Sequence, residues 1–260
     1  MIHQATWKDK VRAVLPWKVY WRLKRFREEF LSLVSPGDLT SLAKVYKTDK
    51  WGRHFYTPVY EQYFRPFRYK QISLLEIGVG GYEKPFNGGD SLRMWKRYFP
   101  DGKIIGIDLY DKSALKENRI DIVQGDQADH AFLKKLTHLK GPFDMIIDDG
   151  SHVQSHILAS FESLFPLLNP GGIYVIEDTQ TSYRPKFEGS TSSMTTISSA
   201  MNYFIARVHA VNRQEWMKDE QTPDIPDQGI ASISFYHNMI VITKNQLDYL
   251  MSETSNVIDI

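Results

Sequence analysis

Asp149 closes the run Phe143-Asp-Met-Ile-Ile-Asp-Asp149, and twenty-eight residues further on Glu177 and Asp178 close a second run, Ile173-Tyr-Val-Ile-Glu-Asp178. Each reads as an apolar strand that ends in carboxylates. As parallel neighbours, the two strands would bring Asp149, Glu177 and Asp178 together as hard oxygen ligands for Mg²⁺ or a similar divalent cation, with solvent and substrate completing an octahedron. His152 follows three residues after the first acid. Its unperturbed pKa lies near neutrality, so it is suited to take a proton from a hydroxyl that a nearby cation has acidified. Two plainer readings stand beside this one. Acids often end parallel strands because solvent begins there, and His156, one helical turn on, is an alternative imidazole.

Positioning such a set requires a sheet whose strand ends converge. Strand-like runs at 72–79, 104–109, 121–125, 143–148 and 173–176 alternate with helical patterns, which predicts a parallel sheet with crossover helices. Between the last two runs, Val153, Ile157, Leu158, Phe161, Leu164, Phe165 and Leu168 form one apolar helix face, and Asn169-Pro-Gly-Gly172 is expected to end that helix. A further amphipathic helix is expected through Met194, Ile197, Met201, Phe204, Ile205 and Val208, followed by a Pro- and Asp-rich segment near 222–228. Residues 231–235 and 239–243 then read as a closing hairpin around His237-Asn238.

A second constellation sits upstream. Leu74-Leu-Glu-Ile-Gly-Val-Gly-Gly81 is an apolar strand running into closely spaced glycines, where backbone can approach a ligand that side chains would exclude. Asp108 follows the next apolar strand, where an acid would bind the two hydroxyls of a ribose. Together they point to a nucleoside-containing cofactor, although the glycines alone would also serve a turn and Asp108 alone would serve as a solvated strand end. A dinucleotide fits less well, because the third glycine of G-x-G-x-x-G falls on Glu83 and Pro85 follows where a helix should start.

Glu76, Gly78, Gly80 and Asp108 resemble the class I S-adenosylmethionine-dependent methyltransferases, whose first strand ends in E-x-G-x-G and whose second ends in an acid. The resemblance implies a Rossmann-like α/β sandwich with a mostly parallel seven-stranded sheet and a C-terminal antiparallel hairpin. It implies that the glycine loop lies near the methionine and ribose of S-adenosylmethionine, that Asp108 grips the ribose, and that Asp126 and Gln127 lie near the adenine. Asp126 would equally serve as a strand-end or cap residue. With Asp-Asp-Gly-Ser-His152 and Ile-Glu-Asp178 added, about residues 40–245 resemble the metal-dependent sugar O-methyltransferases of macrolide biosynthesis. That narrower likeness implies metal ligation by Asp149, Glu177 and Asp178, His152 as general base, and a glycoside acceptor. Tyr46-Lys-Thr-Asp-Lys50, His54-Phe-Tyr56 and Thr181-Ser-Tyr183 share the similarity without an assigned role. Catechol-type O-methyltransferases are the nearest alternative, but they commonly carry lysine where this chain has His152 and an Asp-Asn pair where it has Glu177-Asp178. A noncatalytic scaffold that keeps the fold is the alternative from another class.

The bulk composition narrows the field further. At 260 residues the chain suits one α/β domain with extensions, and its lack of cysteine removes thiolate zinc sites and disulfides while fitting a reducing cytoplasm. With 32 basic and 31 acidic residues, no overall field favours nucleic acid. No apolar run approaches the length of a bilayer span. Residues 1–35 stand apart as a basic, aromatic, helical extension to a methyltransferase domain at 36–260, with eight Lys or Arg against three acids. Val19, Leu23, Phe26, Phe30 and Val34 place an apolar stripe on one face there. Packing on the core or a homo-oligomer contact is expected of that stripe, with peripheral contact to an anionic membrane as the sharper alternative.

Overall fold

The computed structural model describes residues 16–190, 199–212 and 229–246, so the expected helix positions Met194 and Ile197 and the segment near 222–228 lie outside the described residues. The chain divides into two compact units, residues 1–65 and 66–260.

In the first unit the described helices are α1 (Trp17–Leu33), α2 (Leu39–Tyr46) and α3 (Thr57–Phe64). The Asp38 carboxylate caps α2 by accepting from the Ser41 N–H at 2.9 Å, and Pro58 sits in the first turn of α3, where its missing N–H costs no helix bond. The stripe on α1 does not face inward. Leu23, Phe26, Phe30, Leu33 and Val34 are exposed while Glu28 and Ser32 on the opposite face are buried, the reverse of an ordinary amphipathic helix.

The second unit is built on a seven-stranded sheet in the order β3-β2-β1-β4-β5-β7-β6. Its strands are β1 (Ser73–Ile77), β2 (Lys103–Asp108), β3 (Ile120–Gln124), β4 (Phe143–Asp148), β5 (Leu168–Glu177), β6 (Ile230–Tyr236) and β7 (Met239–Lys244). The first five are parallel, and β7 pairs antiparallel with both β5 and β6, as the expected sheet requires. β1 and β4 are buried along nearly their whole length, which explains why they read as unbroken apolar runs: helices cover both faces of a parallel sheet. Those helices include α4 (Asp90–Tyr98), α5 (His130–Lys140), α6 (Gln154–Leu164) and α7 (Ala200–Arg207). An aromatic nucleus fixes α6 and α7 to β5, with the Phe161 ring 4.7 Å from both Phe165 and Phe204 and 5.3 Å from Tyr174. Phe161 is fully buried, so truncating it to alanine would cost about 3–5 kcal/mol.

The segment Asn169-Pro-Gly-Gly172 differs from expectation. α6 ends at Leu164 and a 3₁₀ turn covers Phe165–Leu167, so Asn169 to Gly172 falls inside the start of β5. There Phe143 pairs with Leu168 but Met145 pairs with Ile173, so the register shifts across an irregularity. The Pro-Gly-Gly segment is absorbed there as a bulge, at a strand end where a missing N–H is tolerated.

Chain order reverses between β1 and β4, since β2 and β3 run outward on one side and β4 and β5 on the other. Such a switch point opens a crevice beyond the carboxyl ends of the central strands.

Candidate active site

At the end of β1 the Gly78 N–H still donates to the Ile107 carbonyl at 2.8 Å, with φ at 92°. A Cβ on Gly78 would lie 2.1 Å from the Asp149 carbonyl oxygen, so the absence of a side chain lets the β4–α6 turn pass against the end of β1. Gly80 also has positive φ, at 78°, but a Cβ there would meet nothing within 4 Å. One glycine is demanded by packing; the other opens onto free space. Beside them Asp108 ends β2, its Oδ2 accepting from the Val79 N–H at 3.0 Å and its Oδ1 from the Tyr110 N–H at 2.9 Å. It remains partly exposed. Glu76 is fully buried and turned inward, its Oε2 accepting from Ser91 Oγ at 2.9 Å and Trp95 Nε1 at 3.1 Å.

Lys112 secures the glycine loop from below. Its buried ammonium donates to the Lys84 carbonyl at 2.7 Å and the Asn87 carbonyl at 3.2 Å, and burial pulls its pKa below the usual lysine value against the attraction of Asp108 and Glu83. After β3, Asp126 is exposed and closes a turn by accepting from the Ala128 N–H at 2.9 Å. Gln127 is instead buried.

The metal half begins where β4 ends. Asp148 is buried, and burial pushes its carboxyl up to about 6 against the lowering influence of His152, Gln127 and the Gly150 N–H. The next residue alternates to the other side of the strand. The Asp149 N–H makes the last β1–β4 bond, to the Ile77 carbonyl at 3.0 Å, and its side chain is partly exposed. After Gly150 and Ser151 the chain reaches His152 at φ 58°, a left-handed conformation that costs a residue with a Cβ about 1–2 kcal/mol. At the end of β5, Glu177 is buried and pairs with Met239, while Asp178 turns left-handed at φ 55° and is partly exposed.

Asp149, His152 and Asp178 each offer one ligand atom, and all of these lie within 4.8 Å of one another. His152 Nε2 stands 3.7 Å from Asp178 Oδ2, with the Phe187 ring edge-on at 6.5 Å. Among the described residues Glu177 is not part of this group. His156 pairs elsewhere, its Nδ1 3.0 Å from Ser151 Oγ. Two carboxylates converging on one point suit a hard divalent cation, and the imidazole beside them suits a base acting next to it, so the residues fit the metal that the spacing implies. The open side of Gly80 next to a partly exposed Asp108 likewise fits a nucleoside cofactor.

Sequence reasoning overlooked Lys112, Gln154 and Glu188. Gln154 is fully buried, and Glu188 Oε2 accepts the Ser155 N–H at the start of α6 at 3.0 Å; the Ser155 hydroxyl first and its N–H second hold the Glu188 carboxyl below the usual range. A polar residue on the buried face of a helical pattern was the available signal for Gln154.

Residues 86–179 match the family model described as a methyltransferase domain. Over 213 residues the chain is 43% identical to the mycinamicin VI 2''-O-methyltransferase of Micromonospora griseorubida, covering 81% of this chain and 53% of that protein. Over 210 residues it is 45% identical to the 8-demethyl-8-alpha-L-rhamnosyl tetracenomycin-C 2'-O-methyltransferase of Streptomyces olivaceus, covering 80% of this chain and 55% of that one. Among solved structures it is similar to the MycE methyltransferase from the mycinamycin biosynthetic pathway in complex with Mg, SAH and mycinamycin VI, with 41% identity, a TM-score of 0.74, and coverage of 82% of this chain and 56% of that chain. The chain thus spans about half the length of the curated relatives it matches.

Proposed function

Since the chain carries a methyltransferase domain of the class I fold resembling the metal-dependent macrolide sugar O-methyltransferases, we propose that it transfers the methyl group of S-adenosylmethionine to a sugar hydroxyl of a glycosylated natural product, glycolipid or polysaccharide. The observation that carries this reading is the convergence of Asp149, His152 and Asp178 within 4.8 Å, at the strand end that lies against Gly78.

In this reading Asp149 and Asp178 would hold Mg²⁺ or another divalent cation, and the resemblance adds Glu177, next to Asp178 in sequence but outside the converging group, as a third ligand. The cation supplies Lewis acidity that lowers the pKa of a sugar hydroxyl, and S-adenosylmethionine supplies a methyl group already activated by its sulfonium. His152 Nε2 takes the hydroxyl proton as the sugar oxygen bonds to the methyl carbon and the carbon–sulfur bond breaks, leaving a neutral thioether. Asp178 Oδ2 lies 3.7 Å from that nitrogen, so the base stands beside the carboxylates that would hold the cation. Asp108 holds the ribose hydroxyls, and the backbone at Gly78 and Gly80 admits the methionine end. Asp126 sits at the adenine side. Glu76 backs the cofactor side with its carboxylate engaged within the protein, whereas Gln127, expected near the adenine, has its amide spent on Asp148 and the turn after β4.

The active domain in this reading is residues 36–260, with 1–35 as an extension. No helix among the described residues is long and apolar enough to cross a membrane. The exposed stripe of α1, flanked by Arg22 and Arg27, supports a homo-oligomer contact. Sedimentation velocity should show self-association that Phe26→Ser with Phe30→Ser removes; a monomer that sediments with anionic vesicles would support the membrane alternative instead.

Calorimetry of S-adenosylmethionine binding to metal-free protein, followed by Mg²⁺-dependent methylation of a panel of deoxysugar glycosides and catechols, tests the reading. Binding with Mg²⁺-dependent glycoside methylation is expected. Methylation of a catechol alone would move the assignment to the catechol-type enzymes, and no cofactor binding by folded protein would overturn it in favour of a scaffold.

A further inference from the structure

We propose that two buried glutamines, Gln127 and Gln154, are positioning residues that hold the turn bearing Asp149 and His152 and couple it to the turn bearing Asp178. The inference deepens the metal-dependent reading above and rests on it for its consequence, but the clamp itself is a matter of hydrogen bonds within the chain.

The Asp149 N–H bonds to β1 and the Gly150 N–H makes a long bond to Asp148 Oδ1 at 3.4 Å, but at His152 the turn adopts a left-handed backbone that a side chain disfavours. Something outside the turn must hold it there. From one side Gln127 Oε1 accepts the Ser151 N–H at 2.7 Å, while its Nε2 donates to Asp148 Oδ1 at 3.1 Å and to Ser160 Oγ at 3.0 Å. The Gln127 amide is therefore spent on β4, the turn and α6 together. Gly150 is matched to it, since a Cβ there would lie 2.1 Å from Gln127 Oε1. From the other side Gln154 Nε2 donates to the His152 carbonyl at 3.2 Å and to Thr181 Oγ1 at 3.3 Å, and Thr181 Oγ1 in turn donates to the Asp178 carbonyl at 2.9 Å. The Gln154 Oε1 accepts from Ser182 Oγ at 2.9 Å and the Ala200 N–H at 2.8 Å, which pins this amide to the segment after Asp178. A continuous path thus runs from the His152 backbone through Gln154 and Thr181 to Asp178.

Both side chains are shielded from solvent, and neither Gln127 terminus is left to face a cofactor. Buried amides with all their groups engaged are rigid, because breaking one bond leaves a polar group unsatisfied. Residues that orient metal ligands in this way usually govern metal affinity by tenfold or more without touching the ion.

The test compares the wild-type chain with Gln127→Met, Gln154→Met and Gly150→Ala, the last evicting the Gln127 amide without altering it. Mn²⁺ affinity is read by electron paramagnetic resonance, S-adenosylhomocysteine affinity by calorimetry, and deuterium uptake over residues 149–153 by mass spectrometry on metal-free protein. The expected outcome is a roughly ten- to hundredfold loss of Mn²⁺ affinity, S-adenosylhomocysteine affinity within about twofold of wild type, and faster exchange confined to that turn. Unchanged Mn²⁺ affinity and exchange would overturn the clamp. Loss of S-adenosylhomocysteine affinity with Mn²⁺ affinity intact would overturn it too, by making Gln127 a cofactor contact. If the variants do not fold, the wild type decides: Ser151 is an exposed residue outside helix and strand, so its amide should exchange slowly only because Gln127 accepts from it. Exchange at the rate of a free amide would refute the proposal. Wild-type protein that binds no Mn²⁺ would sink the metal reading, while the Ser151 exchange rate would still decide the clamp.

Discussion

The end of β1 and the end of β4 lie side by side yet are built by opposite means. Beyond β1 the chain is shaped by backbone: Gly78 and Gly80 at positive φ, and the Val79 N–H fixed by the Asp108 carboxylate. Beyond β4 it is shaped by side chains, with Gln127 and Gln154 gripping a turn whose residues are mostly not glycine. A backbone-built surface can approach a ligand closely and tolerates little added volume. A side-chain-built turn can aim reactive groups, but it depends on partners far away in sequence.

That contrast can be broken most forcefully at His152. His152→Ala should lower kcat by about 10²–10⁴ while leaving S-adenosylhomocysteine affinity unchanged by calorimetry, because only the proton acceptor is lost. Equal losses in both would show that the two halves are not separable. The next largest effect is expected where the halves touch. Gly78→Ala puts a methyl group 2.1 Å from the Asp149 carbonyl and strains φ, so thermal denaturation should show about 3 kcal/mol or more of destabilisation, with Mn²⁺ and S-adenosylhomocysteine affinity falling together.

A pH titration sharpens the side-chain half. Asp148 has its folded-state carboxyl raised from 3.8 to about 6, so between those values the folded protein keeps a proton that the unfolded chain has released. Its stabilising contribution is complete below about pH 4 and is lost as pH rises through about 6. Urea denaturation of metal-free protein should therefore show wild type losing about 3 kcal/mol relative to Asp148→Asn across that window. A pH-independent difference would mean that Asp148 stays charged when buried. The smallest effect belongs to Gly80→Ala, which meets nothing within 4 Å and pays only for its backbone, about 1–2 kcal/mol. Here cofactor affinity should fall with Mn²⁺ affinity retained, and the reverse would dissolve the contrast between the two halves.

What the sequence made readable follows the same division. Strand ends were legible because two-sided burial writes itself as unbroken apolar runs, so Glu76, Gly78 and Asp108 could be placed at the ends of β1 and β2, and the closing hairpin matches β6 and β7 within a residue or so. Asp149 and Asp178 stood out for the same reason, as carboxylates just beyond buried strands. The roles of the buried amides were not legible: Gln127 was expected near the adenine and Gln154 showed only as a polar residue on a buried helix face, since the partners that a glutamine joins lie far away in sequence. Asn169-Pro-Gly-Gly172 misled because a helix stop and a strand bulge use the same residues. Periodicity located the stripe of α1 but could not give its direction, which depends on what the opposite face packs against.

Lys112 has a consequence for chemical labelling. Its amine is enclosed and hydrogen-bonded to the Lys84 and Asn87 carbonyls, whereas Lys134 and Lys135 are exposed. An acylating reagent will therefore consume the exposed amines at once and reach Lys112 only in the moments when the loop over it lifts. The rate at which this one lysine is modified becomes a clock for how often the glycine loop opens.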